Sequence, residues 1–177
     1  MTKISTEAEQ FYARYAYPDW LRTHSLLVGR IAETIAAARR DVGGAARDIA
    51  LAAYLHDIGR SPLVAGDPRE HNELSALILA AEGLAGCVEP ARRHAIYTVL
   101  DPAAAPTTLA DKIVYVADRR GGMRVEPVEV RARDTAQRHP QFAADIERAI
   151  PIAKSIEREV FAGLPFASEE LEGHLLT

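Results

Sequence analysis

Apolar residues recur along this chain at intervals of three and four rather than two, and glycine and proline cut the pattern into helix-sized pieces. That periodicity predicts an all-α protein, a bundle of about seven to eight helices. A first helix covers Thr6 to Tyr15 and stops before Tyr17-Pro18. Asp19 is placed to cap a long second helix reaching about Arg40, with Leu21, Ser25, Val28, Ala32 and Ile35 inward and His24 at the edge of that face. Asp41-Val42-Gly43-Gly44 closes it, and a third helix runs from about Ala45 to Ile58, where Gly59 suits a left-handed C-cap.

After the loop Ser61 to Pro68, a fourth helix spans Glu70 to Glu82 and opens with His71. Gly83 to Gly86 separates it from a fifth, about Glu89 to Leu100. Thr107 or Thr108 then caps a sixth, which carries Leu109, Ile113, Val116 and Ala117 inward and ends at Asp118-Arg119-Arg120-Gly121-Gly122. Two further amphipathic stretches, Glu126 to Arg138 and Pro140 to Phe161, precede a Gly-Pro turn and a short acidic tail. They carry no concentrated chemistry and are expected to complete the core or a homodimer surface. With no internal repeat or boundary signal, one domain is expected over residues 1–177.

Hydrophobic residues make up 48% and charged residues 26%, an ordinary globular balance. The formal net charge of -4 leaves no global basic surface for long nucleic acids, although a local arginine cluster can hold a small anion. Cys87 is the single cysteine, which excludes an internal disulfide and a cysteine-based zinc site; it reads as a small, partly buried residue. The longest apolar run, Ile49 to Leu55, is too short to cross a bilayer, and the stretch to Glu9 lacks the apolar core of a signal peptide, so a cytoplasmic location is the default expectation. Tyr12, Tyr15, Tyr17 and Trp20 read as core rather than as a base-stacking platform, Lys112 as solvated or paired with a carboxylate, and His139 and His174 as incidental.

The strong ligand types fall one helix after another: His24 on the second, His56 and Asp57 at the end of the third, His71 and His94 on the fourth and fifth, Asp118 on the sixth. Successive antiparallel helices in a bundle can bring side chains so spaced to one interior point. A buried aspartate without a partner is costly, so a metal centre explains the convergence better than a set of satisfied core polar groups. His71 alternatively opens its helix as a capping residue, and His94, beside Arg92 and Arg93, alternatively belongs to a solvated basic face.

Arg22-Thr23-His24-Ser25, Leu55-His56-Asp57-Ile58-Gly59 and Lys112-Ile113-Val114-Tyr115-Val116-Ala117-Asp118 together resemble the His…His-Asp…Asp signature of the HD-domain phosphohydrolase superfamily, from about Leu21 to Arg124. Within it, His71-Asn72-Glu73-Leu74-Ser75-Ala76 and the run Asp111 to Arg119 followed by Arg124 look most like the bacterial branch that cleaves diadenosine tetraphosphate symmetrically into nucleoside diphosphates. The chain departs from that branch at Arg60, where lysine is usual, at Asn72, where glycine is usual, and after Ala95-Ile96, where a His-Thr pair is usual. The resemblance implies metal ligands His24, His56, Asp57 and Asp118; with His71 and His94 nearby as a second site, one or two ions are expected.

A mixed set of imidazoles and carboxylates suits manganese, iron(II), magnesium or cobalt better than structural zinc. Such an ion lowers the pKa of a bound water and polarises a phosphoryl group. Asp57 and His71 are the expected catalytic side chains, although the attacking water needs no protein base if the ion alone activates it. Arg60, Arg119, Arg120 and Arg124 follow the ligand positions and can neutralise phosphate, with Arg60 and Arg124 the better placed. The expected partner is a small nucleotide: a dinucleoside tetraphosphate first, a nucleoside mono- or triphosphate next. A non-catalytic nucleotide sensor is the reading from another class.

Overall fold

The computed structural model describes residues 2–176; Met1 and Thr177, the ends of the expected domain, lie outside the described residues. The fold is all-helical. Helix α1 is Lys3–Arg14, starting before the expected Thr6 because the Ser5 N–H donates to Thr2 Oγ1 at 3.1 Å. Helix α2 is Asp19–Ala38, capped by extended Pro18, so Asp19 is not the N-cap but the first helical residue, its charge at the positive end of the helix dipole.

Helix α3, Ala46–Leu55, stops three residues short of Ile58, and the chain passes through His56 and Asp57 into a 3-10 turn over Ile58–Arg60. Gly59 is not left-handed; the glycines with positive φ are Gly43, Gly66 and Gly83. What Gly59 provides is close approach, since a Cβ there would lie 2.1 Å from the His71 carbonyl oxygen and 2.8 Å from Leu74 Cβ. Helix α4, His71–Ala81, is thereby pressed against the end of α3. Gly29 does the same between α2 and α3, where an added Cβ would meet Tyr54 Cδ1 at 2.0 Å. The Tyr54 hydroxyl donates to Glu33 at 2.8 Å, and the Tyr12 hydroxyl donates to the Tyr54 carbonyl at 2.9 Å.

The single fifth helix expected over 89–100 is two pieces, α5 at Ala85–Arg92 and a 3-10 turn at Ile96–Leu100. Ala95 is extended between them, and Thr98 Oγ1 donates to the carbonyls of Arg93 and Ala95 at 2.9 and 2.7 Å, which holds the break. His94 turns inward there. Helix α6, Leu109–Arg120, has the expected cap in full: Thr108 accepts from the Asp111 N–H, and Asp111 accepts from the Thr108 N–H.

Helices α7 (Val128–Arg138) and α8 (Ala143–Phe161) follow, then α9 (Leu171–His174) in the acidic tail. The tail folds back, with Leu171 buried and the His174 ring stacked 4.3 Å from Phe166. Helices α2, α3 and α6 form the centre, α5 flanks α3, α4 packs on α5 and on the 3-10 turn after α3, and α8 packs on α6 and α7 through Ile146, Ala149, Ile150, Ala153 and Val160. Lys112 pairs with Glu159 of α8 at 2.5 Å. Cys87 is fully buried. Among the described residues no helix is long and apolar enough to cross a membrane.

Candidate metal centre

Six side chains meet where α2, α3, α4 and α6 approach the break after α5. His24 Nε2 lies 3.2 Å from His56 Nε2 and 3.3 Å from Asp118 Oδ1, and His56 Nε2 lies 3.7 Å from the same oxygen. Asp57 faces this group with Oδ2, 3.8 Å from His24 and 3.6 Å from His56. Its other oxygen, Oδ1, lies 3.5 Å from His71 Nε2 and 3.3 Å from His94 Nε2. Those two nitrogens are 3.2 Å apart. Asp57 leaves the α-helical path at φ -103°, which lets adjacent His56 and Asp57 aim at one place.

The donor set fits a divalent cation. An ion bonded at about 2.1 Å holds neighbouring donors roughly 3 Å apart, close to the separations seen. The backbone carbonyls of Ala53 and Ala91 accept from His56 Nδ1 and His94 Nδ1 at 2.8 and 2.6 Å. Each Nε2 therefore turns a lone pair into the centre, as an imidazole ligand must. His71 Nε2 accepts from Arg60 at 2.9 Å, so the guanidinium occupies the one lone pair that this nitrogen would offer an ion, with His94 Nε2 3.2 Å beside it.

Protonation is already that of a ligand set. Burial lowers the His56 pKa to about 4 and the His71 pKa to about 3, so both rings are neutral at pH 7. Burial alone would raise the two carboxyls; for Asp57 the nearby His56 and Arg60 outweigh it, for Asp118 Arg119 and His24 do, and both stay well below the usual carboxylate range. The sign of the pH dependence follows. His56 takes up its proton near 6.5 when unfolded but near 4 when folded, so its contribution is complete above pH 6.5 and is lost as pH falls toward 4. In metal-free protein, denaturant midpoints should drop over this window by the equivalent of about 2–3 kcal/mol. A flat profile between pH 7 and 5 would contradict the buried neutral ring.

The arginines divide. Arg60 Nε donates to Asp57 Oδ1 at 2.8 Å, beside its bond to His71. Arg119 is not a surface residue: it is buried, pairs with Asp118 and fixes that carboxylate's orientation. Arg120, expected among the phosphate-binding arginines, pairs instead with buried Glu157 at 2.7 Å and donates to the Ser168 carbonyl at 2.8 Å. Arg124 is largely exposed beside Glu126, at the border of the cavity.

That cavity is an open groove of about 1560 Å³ with the centre in its wall. Its walls hold residues that the sequence reading passed over. Trp20, expected in the core, is 55% exposed and borders the cavity, as do Tyr97 and Phe142. His139 borders it too, so it is not remote from the site, and α7 adds Arg131 and Arg138. The available signal was the seven-residue spacing of those arginines, two helical turns on one face.

The family model described as HD domain matches residues 21–123, more than half of the chain. The match runs from α2 to just beyond α6 and contains all six converging side chains. No curated protein and no solved structure matches the chain.

Proposed function

The chain belongs to the HD domain family, whose members are generally metal-dependent phosphohydrolases, and on that premise we propose that it hydrolyses a nucleotide phosphoanhydride or ester at this centre. The observation that carries the reading is a pair of adjoining donor groups, His24 with His56 and Asp118, and His56 with Asp57 and His94, with His71 3.5 Å from Asp57 beside the second. The bound divalent ion, iron, manganese, magnesium or cobalt, supplies Lewis acidity and an acidified water. The chain's own residues do the rest. Arg119 orients Asp118, the carbonyls of Ala53 and Ala91 orient His56 and His94, and Asp57 ties the two groups together. His71, with 17% of its side chain exposed, lines the cavity beside His24, Asp57, His94 and Asp118.

A nucleotide is favoured by the exposed rings of Trp20, Tyr97 and Phe142, which offer stacking faces around the cavity. The volume also exceeds the roughly 300–1,000 Å³ of ordinary small-molecule pockets, which favours a substrate with two nucleoside units. We therefore place symmetric hydrolysis of dinucleoside tetraphosphates first and nucleoside mono- or triphosphates second. A screen of mono- and dinucleotides with product identification, run beside elemental analysis of the purified protein, tests this. Nucleoside diphosphate as the sole product from a dinucleoside tetraphosphate supports the first substrate class. No release from any nucleotide with manganese, iron or cobalt would leave a nucleotide sensor.

Arg60 raises a second reading of the centre. It donates to Asp57 Oδ1 and His71 Nε2, the atoms that a second ion would use, so one ion plus the Arg60 guanidinium can stand in for two ions. Arg60→Ala should raise KM about tenfold with kcat little changed if the guanidinium binds substrate phosphate equally in the ground and transition states. An unchanged KM with a gain of one metal equivalent would assign Arg60 to the second reading.

A further inference from the structure

Arg131 on α7 is a partly buried cation with little negative charge close to it. Its side chain is 15% exposed, yet the nearest carboxylate oxygen, on half-exposed Asp134, is 3.6 Å away. That same carboxylate is held at 2.8 Å by Arg138, so two guanidiniums share one counter-charge. The remaining partners of Arg131 are neutral: Nε donates to the Gly121 carbonyl at 3.3 Å and Nη1 to Thr135 Oγ1 at 3.1 Å. These bonds fix the direction of the fork without offsetting its charge. Gly122 keeps the space, since a Cβ there would lie 2.7 Å from Glu126 Oε2 and 3.2 Å from Arg131 Cδ, with that carboxylate held at 3.3 Å by Arg124.

Burial lowers the Arg131 pKa, and Arg119 and Arg138 push the same way against Asp118 and Asp134. Arg131 and Asp118 line the same cavity, so the guanidinium faces the space that the centre opens into. A desolvated charge lacking a close partner is costly, and an anion arriving from the cavity would remove that cost. Arg138, half exposed, lies two turns further along the same face, about 10 Å by helical rise. Both side chains border the cavity that contains the metal centre.

We propose that Arg131 and Arg138 form an anion subsite for an oligophosphate ligand, taking phosphate groups that are not attacked while another phosphate sits at the metal centre. The inference rests on the phosphohydrolase reading and deepens it: the preferred ligand carries a chain of phosphates, not a single one. Arginine forks bind such oxygens bidentately, and neither of the two is a ligand of the ion.

The test uses metal-loaded protein and two inorganic probes in calorimetry, imidotriphosphate, whose P–N bridges resist hydrolysis, and orthophosphate. Arg131→Gln and Arg138→Gln should each weaken imidotriphosphate binding about tenfold, with a shallower salt dependence, while orthophosphate affinity and metal content stay within about twofold of wild type. Equal weakening of both probes, or no weakening of imidotriphosphate, overturns the subsite. If Arg131→Gln does not fold, the half-exposed Arg138→Gln decides by the same criterion. Protein that hydrolyses no nucleotide yet binds imidotriphosphate through both arginines retains the subsite and loses the hydrolase reading. Hydrolysis of nucleotides with undiminished imidotriphosphate affinity in both variants does the reverse.

Discussion

Asp57→Ala is expected to remove metal content and hydrolysis together. One oxygen of Asp57 lies 3.6 and 3.8 Å from His56 and His24, the other 3.3 and 3.5 Å from His94 and His71, so a single truncation strips a donor from both groups. It also leaves Arg60 without its 2.8 Å partner beside the facing imidazoles. A catalytic ion contributes several kcal/mol of transition-state stabilisation, and losing it slows turnover roughly a thousandfold or more. Asp118→Ala makes the comparison sharp, because of the four imidazoles Asp118 faces only His24 and His56, its other partner being Arg119. It should release one ion and spare the binding of another by Asp57, His71 and His94. Elemental analysis beside a phosphate-release assay reads both variants; full metal occupancy in Asp57→Ala, or turnover in metal-stripped wild type, would sink this account of the centre.

Gly59→Ala should be the most destabilising small change near the centre. An added Cβ meets backbone on the α4 side, the His71 carbonyl at 2.1 Å and the Ser75 nitrogen at 2.8 Å, and backbone does not yield as a flexible side chain does. Helix α4 has to move away, which breaks the 2.9 Å bond from the Gly59 N–H to Ser75 Oγ and carries His71 with it. Overpacking of this kind costs about 3 kcal/mol, or more where backbone must shift. Because Gly59 does not occupy the left-handed region, the penalty is steric, and Gly59→Ser should do no better. Urea denaturation of the two variants checks this; a midpoint within error of wild type would show that α4 repacks freely.

The parts of the molecule legible in the sequence were those governed by local rules. Three- and four-residue spacing marked the helical segments, and Thr108 with Asp111 marked the start of α6 by its reciprocal cap. The order His24, His56-Asp57, Asp118 marked the centre because the three pieces come from α2, the end of α3 and α6, each beside an inward face. What was missed depends on contacts distant in the chain. Gly59 after an apolar run looks like a C-cap, and only the presence of α4 across it reveals a close approach. The break before Ile96 depends on the Thr98 hydroxyl reaching the Arg93 and Ala95 carbonyls, which periodicity does not register. Arg131, Asp134 and Arg138 have the spacing of a solvated, ion-paired helix face; docking of α7 turns that face toward a cavity. Trp20 looks like core for the same reason in reverse, being apolar but left at a rim.

The family match ends at residue 123, just before α7, whereas Arg131, Arg138 and Phe142 on the cavity wall all come later in the chain. On the proposed reading, the residues that would hold the ion therefore lie in one stretch of the chain and the arginines that would take further phosphates in the next. Changes in the later stretch would then alter the ligand accommodated without touching the side chains that would hold the ion. Grafting residues 124–161 from a relative with different specificity should accordingly transfer preference without transferring, or costing, the capacity to hold the ion.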